Sequence, residues 1–332
     1  MYDSFEAFMQ GLIDYAGLFP PAGLPFEKAL DNYINYQDHP SSWILSHFIC
    51  PVRLLPELEN CRAILETDNV QLSLSVLPES AETTRAYLEL FERTLQQIFE
   101  FSQKMGRFAR IYALEFKISP QFMTETSGSA LHDFFLKLFD KVYQTGSFPP
   151  RLFFELQKSP HWAEQIDDFI EEIWSFNEVL KGRKISSADR AAGIKIRCGG
   201  GTAADFPTTE EIARVISACA EKLILFKATA GLHHPMRHLN ASTQQWQHGF
   251  FNVFGAALMA YRYPLNTDEI LMLLAEKDPK QFVFKGELFA YKNWKLHTAE
   301  IQEIRSKYVI SFGSCSFDEP RDDLIQLGLL KE

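Results

Sequence analysis

The amino-acid sequence predicts a (β/α)8 barrel, the α/β fold in which eight parallel strands alternate with helices and close on themselves. Short apolar, β-branched and aromatic runs recur along the chain, and each is followed by a turn and then by a helical pattern. Eight such runs can be counted. The chain has 332 residues, 46% of them hydrophobic, so it can bury the core of a barrel, which typically needs about 250 residues plus insertions.

The predicted strands are separated by helices in the order that this fold requires. In chain order the strands are Gly11–Leu18, Ile44–Pro51, Val70–Leu77, Arg110–Ile118, Arg151–Leu156, Gly193–Arg197, Leu223–Thr229 and Tyr308–Ser314. Helical spacing of apolar residues predicts helices over Phe26–Tyr36 and Ala81–Lys104. A further helix begins after Thr208, where hydroxyl side chains precede acids in the first turn.

The longest segment between two predicted strands is Gly231–Lys307, and we expect an insertion or cap over about residues 232–306. Helical patterns over Gln247–Arg262 and Thr267–Glu276 are followed by an aromatic-rich stretch that runs through Trp294. The pattern predicts a helical cap or an enlarged seventh crossover. No repeat and no Pro/Gly/Ser-rich linker divides the chain, so residues 1–332 are predicted to form a single (β/α)8-barrel domain, with an open doubly wound sheet as the alternative.

Charge and composition exclude several classes of partner. The formal net charge is −10 and no long basic run is present, which argues against nucleic acid. No apolar run approaches the roughly 18 residues of a membrane helix, and the first residues lack the basic and apolar regions of a secretory signal. The five cysteines show no zinc or disulfide spacing. We therefore expect a cytoplasmic protein with a small anionic substrate and no membrane or nucleic-acid partner, and a homo-oligomer stays open.

Charged side chains occupy the ends of several predicted strands, where a barrel builds its active site. Because alternate residues of a strand share a face, Lys195 goes with Arg197 and Lys227 with Thr229, with apolar residues between them. If the apolar residues pack against the outer helices, the charged ones point into the barrel, where Glu155 could join them. This pattern indicates either a catalytic site or an interior ion-pair network of Glu115, Lys117, Glu155 and Lys195.

The loops after two of these strands carry groups suited to an anionic substrate. Three consecutive glycines follow the sixth predicted strand, and the backbone amides at Gly199 and Gly200 could cradle an anion. After the seventh predicted strand the chain continues into His233 and His234, whose imidazoles titrate near neutral pH. The alternative for the histidine pair is a structural turn, and Arg237 nearby could equally belong to a solvated face.

Polar residues of the insertion and of the last strand extend the candidate site. His248 and Asn252 are four residues apart, which places them on one face of the predicted helix, either above the site or satisfying each other. Ser314 ends the last strand, where barrels often bind phosphate, and an ordinary turn is the alternative. A carboxylate on the first strand and two thiols are further candidates, each with a structural alternative: Asp14, Cys198 and Cys315.

The strand ends Lys195–Gly201 and Lys227–Gly231 are similar to the two lysine-bearing strand ends of class I aldolases of the deoxyribose-phosphate aldolase type. The resemblance covers about a dozen residues, and the two motifs stand in the reverse chain order. It implies that Lys227 forms a Schiff base with a carbonyl substrate and that the positive charge of Lys195 lowers the pKa of Lys227. Elsewhere the chain looks like a bacterial family of (β/α)8 barrels that carries no assigned activity.

The first of three functional hypotheses is a lyase or aldolase that acts without a cofactor on a small carboxylated or phosphorylated carbonyl compound. Lys227 would be its nucleophile, Lys195 the neighbouring charge, and Glu155 or His234 would move protons. The expected substrate-binding residues are Arg197, Gly199, Gly200, Thr229, His233, Arg237, His248, Asn252 and Ser314.

Two other hypotheses use the same fold. A metal-dependent hydrolase or isomerase would hold a divalent ion through histidine and glutamate ligands, namely His233 or His234, His248, and Glu155 or Glu115. A non-catalytic barrel would serve as a sensor or scaffold. Substitution of the lysines separates the last hypothesis from the others, because only the enzymes need those amines.

Overall fold

Eight parallel strands close into a barrel with helices between them, as the sequence predicts. The computed structural model describes residues 2–125, 129–144, 151–182, 192–202, 205–241 and 244–331. The strands in these ranges are β1 (Ile13–Tyr15), β2 (Leu45–Pro51), β3 (Leu72–Leu77), β4 (Ala109–Ile118), β5 (Arg151–Leu156), β6 (Ala192–Arg197), β7 (Leu225–Thr229), β8 (His238–Leu239), β9 (Trp246–Gln247), β10 (Phe282–Lys285), β11 (Leu288–Tyr291), β12 (Trp294–His297) and β13 (Val309–Ser314). Around the barrel the order is β1, β13, β7, β6, β5, β4, β3 and β2, so all eight predicted strands are confirmed.

Helices connect consecutive barrel strands. One further helix precedes the first barrel strand in the chain, and another follows the last. They are α1 (Asp3–Met9), α2 (Phe26–Gln37), α3 (Leu55–Asn60), α4 (Arg62–Thr67), α5 (Thr84–Met105), α6 (Pro120–Glu125), α7 (Ser129–Gln144), α8 (Trp162–Gly182), α9 (Thr209–Lys222), α10 (Phe250–Arg262), α11 (Thr267–Ala275), α12 (Thr298–Lys307) and α13 (Asp318–Gln326). Within the described ranges, none of these helices combines the length and the apolar character needed to cross a bilayer. The predicted start of α9 is confirmed: Thr208 and Glu211 form a reciprocal capping box.

The residues fall into two compact units, which we describe separately. The first comprises Met1–Gly23, Tyr36–Ser46 and Ile196–Glu332, and the second comprises Leu24–Asn35 and His47–Lys195. In the second unit, one face of β4 and β5 packs against the outer helices through aromatic rings. Phe116 stacks on Phe154 at 5.1 Å, and Phe135 of α7 contacts Phe154 at 4.6 Å between ring centroids. Alternate residues of these strands therefore point away from the helices.

In the first unit, α10 covers the corresponding outer face of β7 and β13. Phe254 of α10 contacts Phe226 of β7 at 6.1 Å and Phe312 of β13 at 5.6 Å between ring centroids. Because neighbouring residues of a strand point to opposite faces, Lys227 and Ser311 point away from α10. Their polar side chains thus share the face that the helix does not cover.

The segment between β7 and β13 holds more strand than we predicted. After α10 and α11, the aromatic-rich stretch forms a three-stranded antiparallel sheet of β10, β11 and β12 instead of a purely helical cap. Two-residue turns join these strands, with positive φ at Gly286 and Lys292, as tight hairpins require. Phe284 alternates with exposed residues and Phe289 with half-buried ones, and both rings pack against Phe8 of α1. Residues 242 and 243 of the predicted cap lie outside the described residues.

Two glycines bring the turns after β6 and β7 into direct backbone contact. A Cβ atom on Gly199 would lie 2.7 Å from the Cα of Gly231, and a Cβ on Gly231 would lie 2.8 Å from the carbonyl oxygen of Cys198. Gly231 also has a φ of +71°, which side chains rarely adopt. The two turns can pack this closely only because both positions lack a side chain.

We expect Gly231→Ala to be much more destabilising than Gly328→Ala. Both positions have nearly the same positive φ, +71° and +70°, but a Cβ on Gly328 meets nothing within 4 Å. The control should cost about 1–2 kcal/mol from backbone strain alone, and the clash at Gly231 should add about 2 kcal/mol or more. Urea denaturation measures both changes, and equal losses would show that the contact with Gly199 does not restrain the turn.

Candidate active site

A buried amine and a buried carboxylate meet on the inner face of the first unit. Lys227 of β7 is 1% exposed and Asp14 of β1 is 0% exposed. The Nζ atom of Lys227 donates to Oδ2 of Asp14 at 2.5 Å, and the hydroxyl of Ser311 donates to the same oxygen at 2.6 Å. Register explains the arrangement, because β13 pairs with β1 on one side and β7 on the other. Three neighbouring strands therefore contribute one residue each to an amine–carboxylate–hydroxyl cluster.

The second unit holds a separate buried network around Lys195. Its Nζ atom lies 2.8 Å from Oε2 of Glu155 and 3.1 Å from Oε2 of Glu115, and all three side chains are almost fully buried. The hydroxyl of Ser75 donates to the other oxygen of Glu115. The predicted ion-pair network thus exists for Glu115, Glu155 and Lys195. For Lys117, the structure shows a backbone carbonyl that accepts from Tyr87 at 3.2 Å.

The two carboxylates decide the charge of Lys195. Burial by itself lowers the pKa of its ammonium, but the charges and hydrogen bonds of Glu155 and Glu115 outweigh this and hold the pKa above the ordinary lysine value. Lys195 is therefore a fixed cation at neutral pH and a poor nucleophile in this state. Its predicted effect on the pKa of Lys227 stays a prediction.

Both predicted histidines after β7 are bound to acids of α13. His233 Nδ1 lies 3.1 Å from Oε2 of Glu319, and His234 Nδ1 lies 2.6 Å from Oδ2 of Asp323. Burial lowers the pKa of His233, and the nearby charge of Glu319 opposes this only in part. The His233 imidazole is consequently neutral at pH 7 and able to accept a proton. His234 is partly exposed and also contacts His238 edge to face.

The glycine-rich turn after β6 is already filled by a carboxylate of the protein itself. Oδ2 of Asp205 accepts from the backbone amide of Thr202 at 2.8 Å and from its hydroxyl at 3.0 Å. The space that a side chain on Gly200 would need is taken by Asp205, whose Cβ lies 2.4 Å from that point. Gly199 is needed for the contact with Gly231. These glycines thus serve backbone packing and an internal carboxylate, where we had predicted an open anion cradle.

Arg197 ends β6 with a partly exposed guanidinium beside the same turn. Its Nη1 atom donates to the carbonyl of Gly199 at 3.4 Å, and its charge contributes to the lowered pKa of Asp205 after the dominant hydrogen bond from the amide of Thr202. Thr229 ends β7, and its carbonyl accepts from the amide of Cys198 at 2.8 Å. Substrate contact through Arg197 and Thr229 stays a prediction.

The prediction that His248 and Asn252 share a helical face is wrong. The helix α10 begins at Phe250, because Gly249 adopts an extended conformation and forms its N-cap. His248 instead contacts the carbonyl of Pro207 at 2.7 Å through Nε2. Asn252 donates to two backbone carbonyls of the α11 region, both at 2.8 Å, and accepts from the amide of Arg237 at 2.7 Å. Asn252 thus connects parts of the insertion to each other, and His248 connects the insertion to the segment before α9.

Residues around the end of β13 are equally tied to the local backbone. The hydroxyl of Ser314 donates to the carbonyl of Ser316 at 2.6 Å, as in the ordinary turn that we had weighed as the alternative.

Burial raises the pKa of the Cys198 thiol to about 12, so it is not a nucleophile at neutral pH. Burial also raises the pKa of the Cys315 thiol, whose Sγ lies 3.9 Å from His233 Nδ1.

The ligand set of the metal hypothesis is not assembled. In the part of the chain that the structure describes, no group of three or more histidine, cysteine, aspartate or glutamate side chains is placed to hold a metal ion. The relevant imidazoles are instead bound to Glu319, Asp323 and the carbonyl of Pro207. The geometry does not favour a metal-dependent reaction at these residues.

Sequence reasoning gave too little weight to several partners of the predicted residues. Asp14 was named only as a carboxylate on the first strand and Ser311 only as a hydroxyl of the last strand, and Asp205 and Glu319 were not assigned to the site. A signal exists for Asp14, since it lies between apolar residues of a predicted strand. The pattern contains nothing that pairs it with Lys227, which is 213 residues away.

Comparison with known proteins adds a likeness in fold. No model of a known protein family matches the chain, and no curated protein matches its sequence. A solved structure to which the chain is similar is the tetrameric deoxyribose phosphate aldolase from Aeropyrum pernix, with 14% identity, a TM-score of 0.43, and coverage of 70% of this chain and 81% of that chain. At this level the likeness concerns the layout of strands and helices, so the chemistry has to be argued from the side chains.

Removal of Asp14 alone should destabilise the protein strongly, because it takes away a carboxylate that is bonded to the buried Lys227 ammonium. We expect Asp14→Ala to cost about 3–5 kcal/mol, whereas the double variant Asp14→Leu/Lys227→Met should cost less than that single change. The exposed pair of Glu303 and Lys307 provides a control, since Glu303→Ala should stay within about 0.5 kcal/mol of wild type. Urea denaturation decides: a double variant less stable than Asp14→Ala would contradict the buried pair.

Protonation of His248 should couple stability to pH. Burial lowers the pKa of folded His248 from 6.5 to about 4, so between these values the unfolded chain binds a proton that the folded chain does not. Its contribution is therefore complete above pH 6.5 and is lost as the pH falls toward 4, by up to about 3 kcal/mol. We expect His248→Gln to flatten the loss of stability over this window. The exposed His161 is the control, and His161→Gln should leave the wild-type slope unchanged.

Proposed function

We propose that this protein is an enzyme of the lyase or aldolase type that forms a Schiff base between Lys227 and a small anionic carbonyl compound. The observation that carries the proposal is the amine of Lys227, which is shielded from water and lies 2.5 Å from the carboxylate of Asp14. A primary amine with a carboxylate in hydrogen-bonding reach is the minimum equipment for adding to a carbonyl carbon.

The first step requires the amine to lose a proton, and Asp14 is placed to take it. The Lys227 nitrogen then forms a bond to the carbonyl carbon. The carbonyl oxygen takes one proton from that nitrogen and one back from Asp14, and the carbon–oxygen bond breaks to release water. The resulting iminium carries one positive charge, as the ammonium did, so the charge beside Asp14 is the same before the first step and after the last. Ser311 holds the carboxylate at 2.6 Å throughout. Asp14 can therefore pair with the positive charge of the product as it does with that of the starting ammonium, and this favours Lys227 as the reacting amine.

Later steps of a lyase need a group that exchanges protons with the bound substrate near neutral pH. His233 suits this task because its lowered pKa leaves the imidazole neutral. It follows β7 in the chain, six residues after Lys227, and Glu319 orients its ring. Arg197 supplies a partly exposed cation for a carboxylate on the substrate. We retain Glu155 and His234 as predicted proton carriers on the sequence pattern alone.

Borohydride reduction tests the covalent step directly. Incubation of the protein with small carbonyl compounds and sodium borohydride should give a stable secondary amine on Lys227, located by peptide mass spectrometry. Lys227→Arg should abolish this adduct, because a guanidinium does not condense with carbonyls under these conditions. Lys307→Arg, on the surface of α12, serves as the matched control and should leave the adduct unchanged.

Three outcomes of this experiment would revise the proposal in different ways. An adduct on Lys195 would keep the reaction class and transfer the role of the amine to the second unit. An adduct spread over surface lysines, Lys307 among them, would indicate non-specific chemistry. Ligand-dependent function that survives in Lys227→Arg would favour the sensor or scaffold over the enzyme.

A further inference from the structure

Phosphate groups on barrel substrates commonly bind at the loops after strands seven and eight and at the N-terminus of a short helix there. In this barrel those strands are β7 and β13, and the helix is α13. Amides at such positions attract a dianion because they are unsatisfied donors at the positive end of the helix dipole. If groups of the protein itself already bind these amides, they cannot bind a phosphate on the substrate.

Acidic side chains of the protein dominate the N-terminus of α13. Asp318 and Glu319 form its first turn, and the amide of Glu319 donates to the hydroxyl of Ser316 at 3.1 Å. Asp318 accepts from the hydroxyl of Tyr36 at 2.7 Å, and Glu319 lies 3.1 Å from the imidazole of His233. A phosphate placed here would lie beside two carboxylates. The amide of Glu319 could not donate to it, because that amide already donates to Ser316.

The turn after β6 is closed to phosphate in the same way. The carboxylate of Asp205 accepts from the amide and the hydroxyl of Thr202, and its side chain fills the space beside Gly200. The backbone contact between Gly199 and Gly231 occupies the space between the two turns. Both loop positions that would suit a dianion thus carry fixed negative charge from the protein itself.

We propose that Asp205 and Glu319 are specificity determinants that reject phosphorylated compounds, so that the substrate of the Lys227 site is a phosphate-free carbonyl compound. This inference rests on the proposed Schiff-base function and narrows its substrate class. A phosphate dianion bound at either position would lie beside one of these carboxylates, and the juxtaposition of like charges disfavours binding. A singly charged carboxylate or a hydroxyl group meets less repulsion and can still use Arg197 or Thr229.

Matched pairs of carbonyl probes test the inference: glycolaldehyde against glycolaldehyde phosphate, and dihydroxyacetone against dihydroxyacetone phosphate. Each is reduced onto the protein with borohydride, and the adduct on Lys227 is divided by the adduct on surface Lys307 to correct for intrinsic reactivity. We expect this ratio to be at least about tenfold higher for the phosphate-free member of each pair. Asp205→Asn and Glu319→Gln keep the hydrogen-bond acceptors but remove the charge, so each should raise the ratio for the phosphorylated probe several-fold.

Glu82→Gln, which removes an exposed acid from the segment before α5, is the control and should change no ratio. If phosphorylated probes label Lys227 as well as their partners do, the inference is overturned while the Schiff-base function stands. Pyruvate is reduced onto the protein in parallel as the carboxylated probe, and if no probe, pyruvate included, labels Lys227 above Lys307, the proposed function fails and the inference fails with it. If labelling is selective but neither acid variant relaxes it, Asp205 and Glu319 are not the determinants.

Discussion

The proposed chemistry depends on one interaction, the buried pair of Lys227 and Asp14. Such a pair adds little net stability, since removing both charges from water costs several kcal/mol and their attraction only offsets this cost. The neighbouring positions of these strands carry large apolar side chains, including Phe226 and Phe312. Apolar residues are therefore compatible with these strands and could have replaced the ion pair. An amine kept in so unfavourable a place, with Ser311 holding its partner, is better explained by contact with a ligand than by stability.

The two buried lysines show how the carboxylates bonded to an amine set its chemistry. Lys195 contacts both Glu115 and Glu155, and if its proton moved to one of them, a buried negative charge would remain on the other. Lys227 donates to Asp14, and a proton transfer there leaves a neutral amine beside a neutral acid. In a site of low polarity a neutral pair is a reasonable alternative to an ion pair, because neither member has a charge to desolvate. The first arrangement preserves a cation, and the second can release a nucleophile.

The distance along the chain between interacting residues decides which features could be predicted from the sequence. The barrel strands and the polar inner faces were predictable because residue alternation is local. The sheet of β10–β12 was missed because each strand has only four residues, too few for alternation to stand out in an aromatic run. The predicted helical position of His248 was wrong because Gly249 is the N-cap and the helix begins at Phe250, so His248 precedes the helix. The glycines after β6 were misread because a glycine that permits backbone contact looks the same in sequence as one that admits a ligand.

The turn after β7 shows how these restraints combine at the mouth of the proposed site. Ala230 adopts a φ of +55°, a conformation that costs a residue with a side chain about 1 kcal/mol or more. That strain persists because the turn is held on both sides, by the contact of Gly231 with Gly199 and by the bond of His233 to Glu319. Both restraints oppose a displacement of this turn. Under the proposed function, the selection of substrates would therefore follow from the charges and spaces already present in these loops.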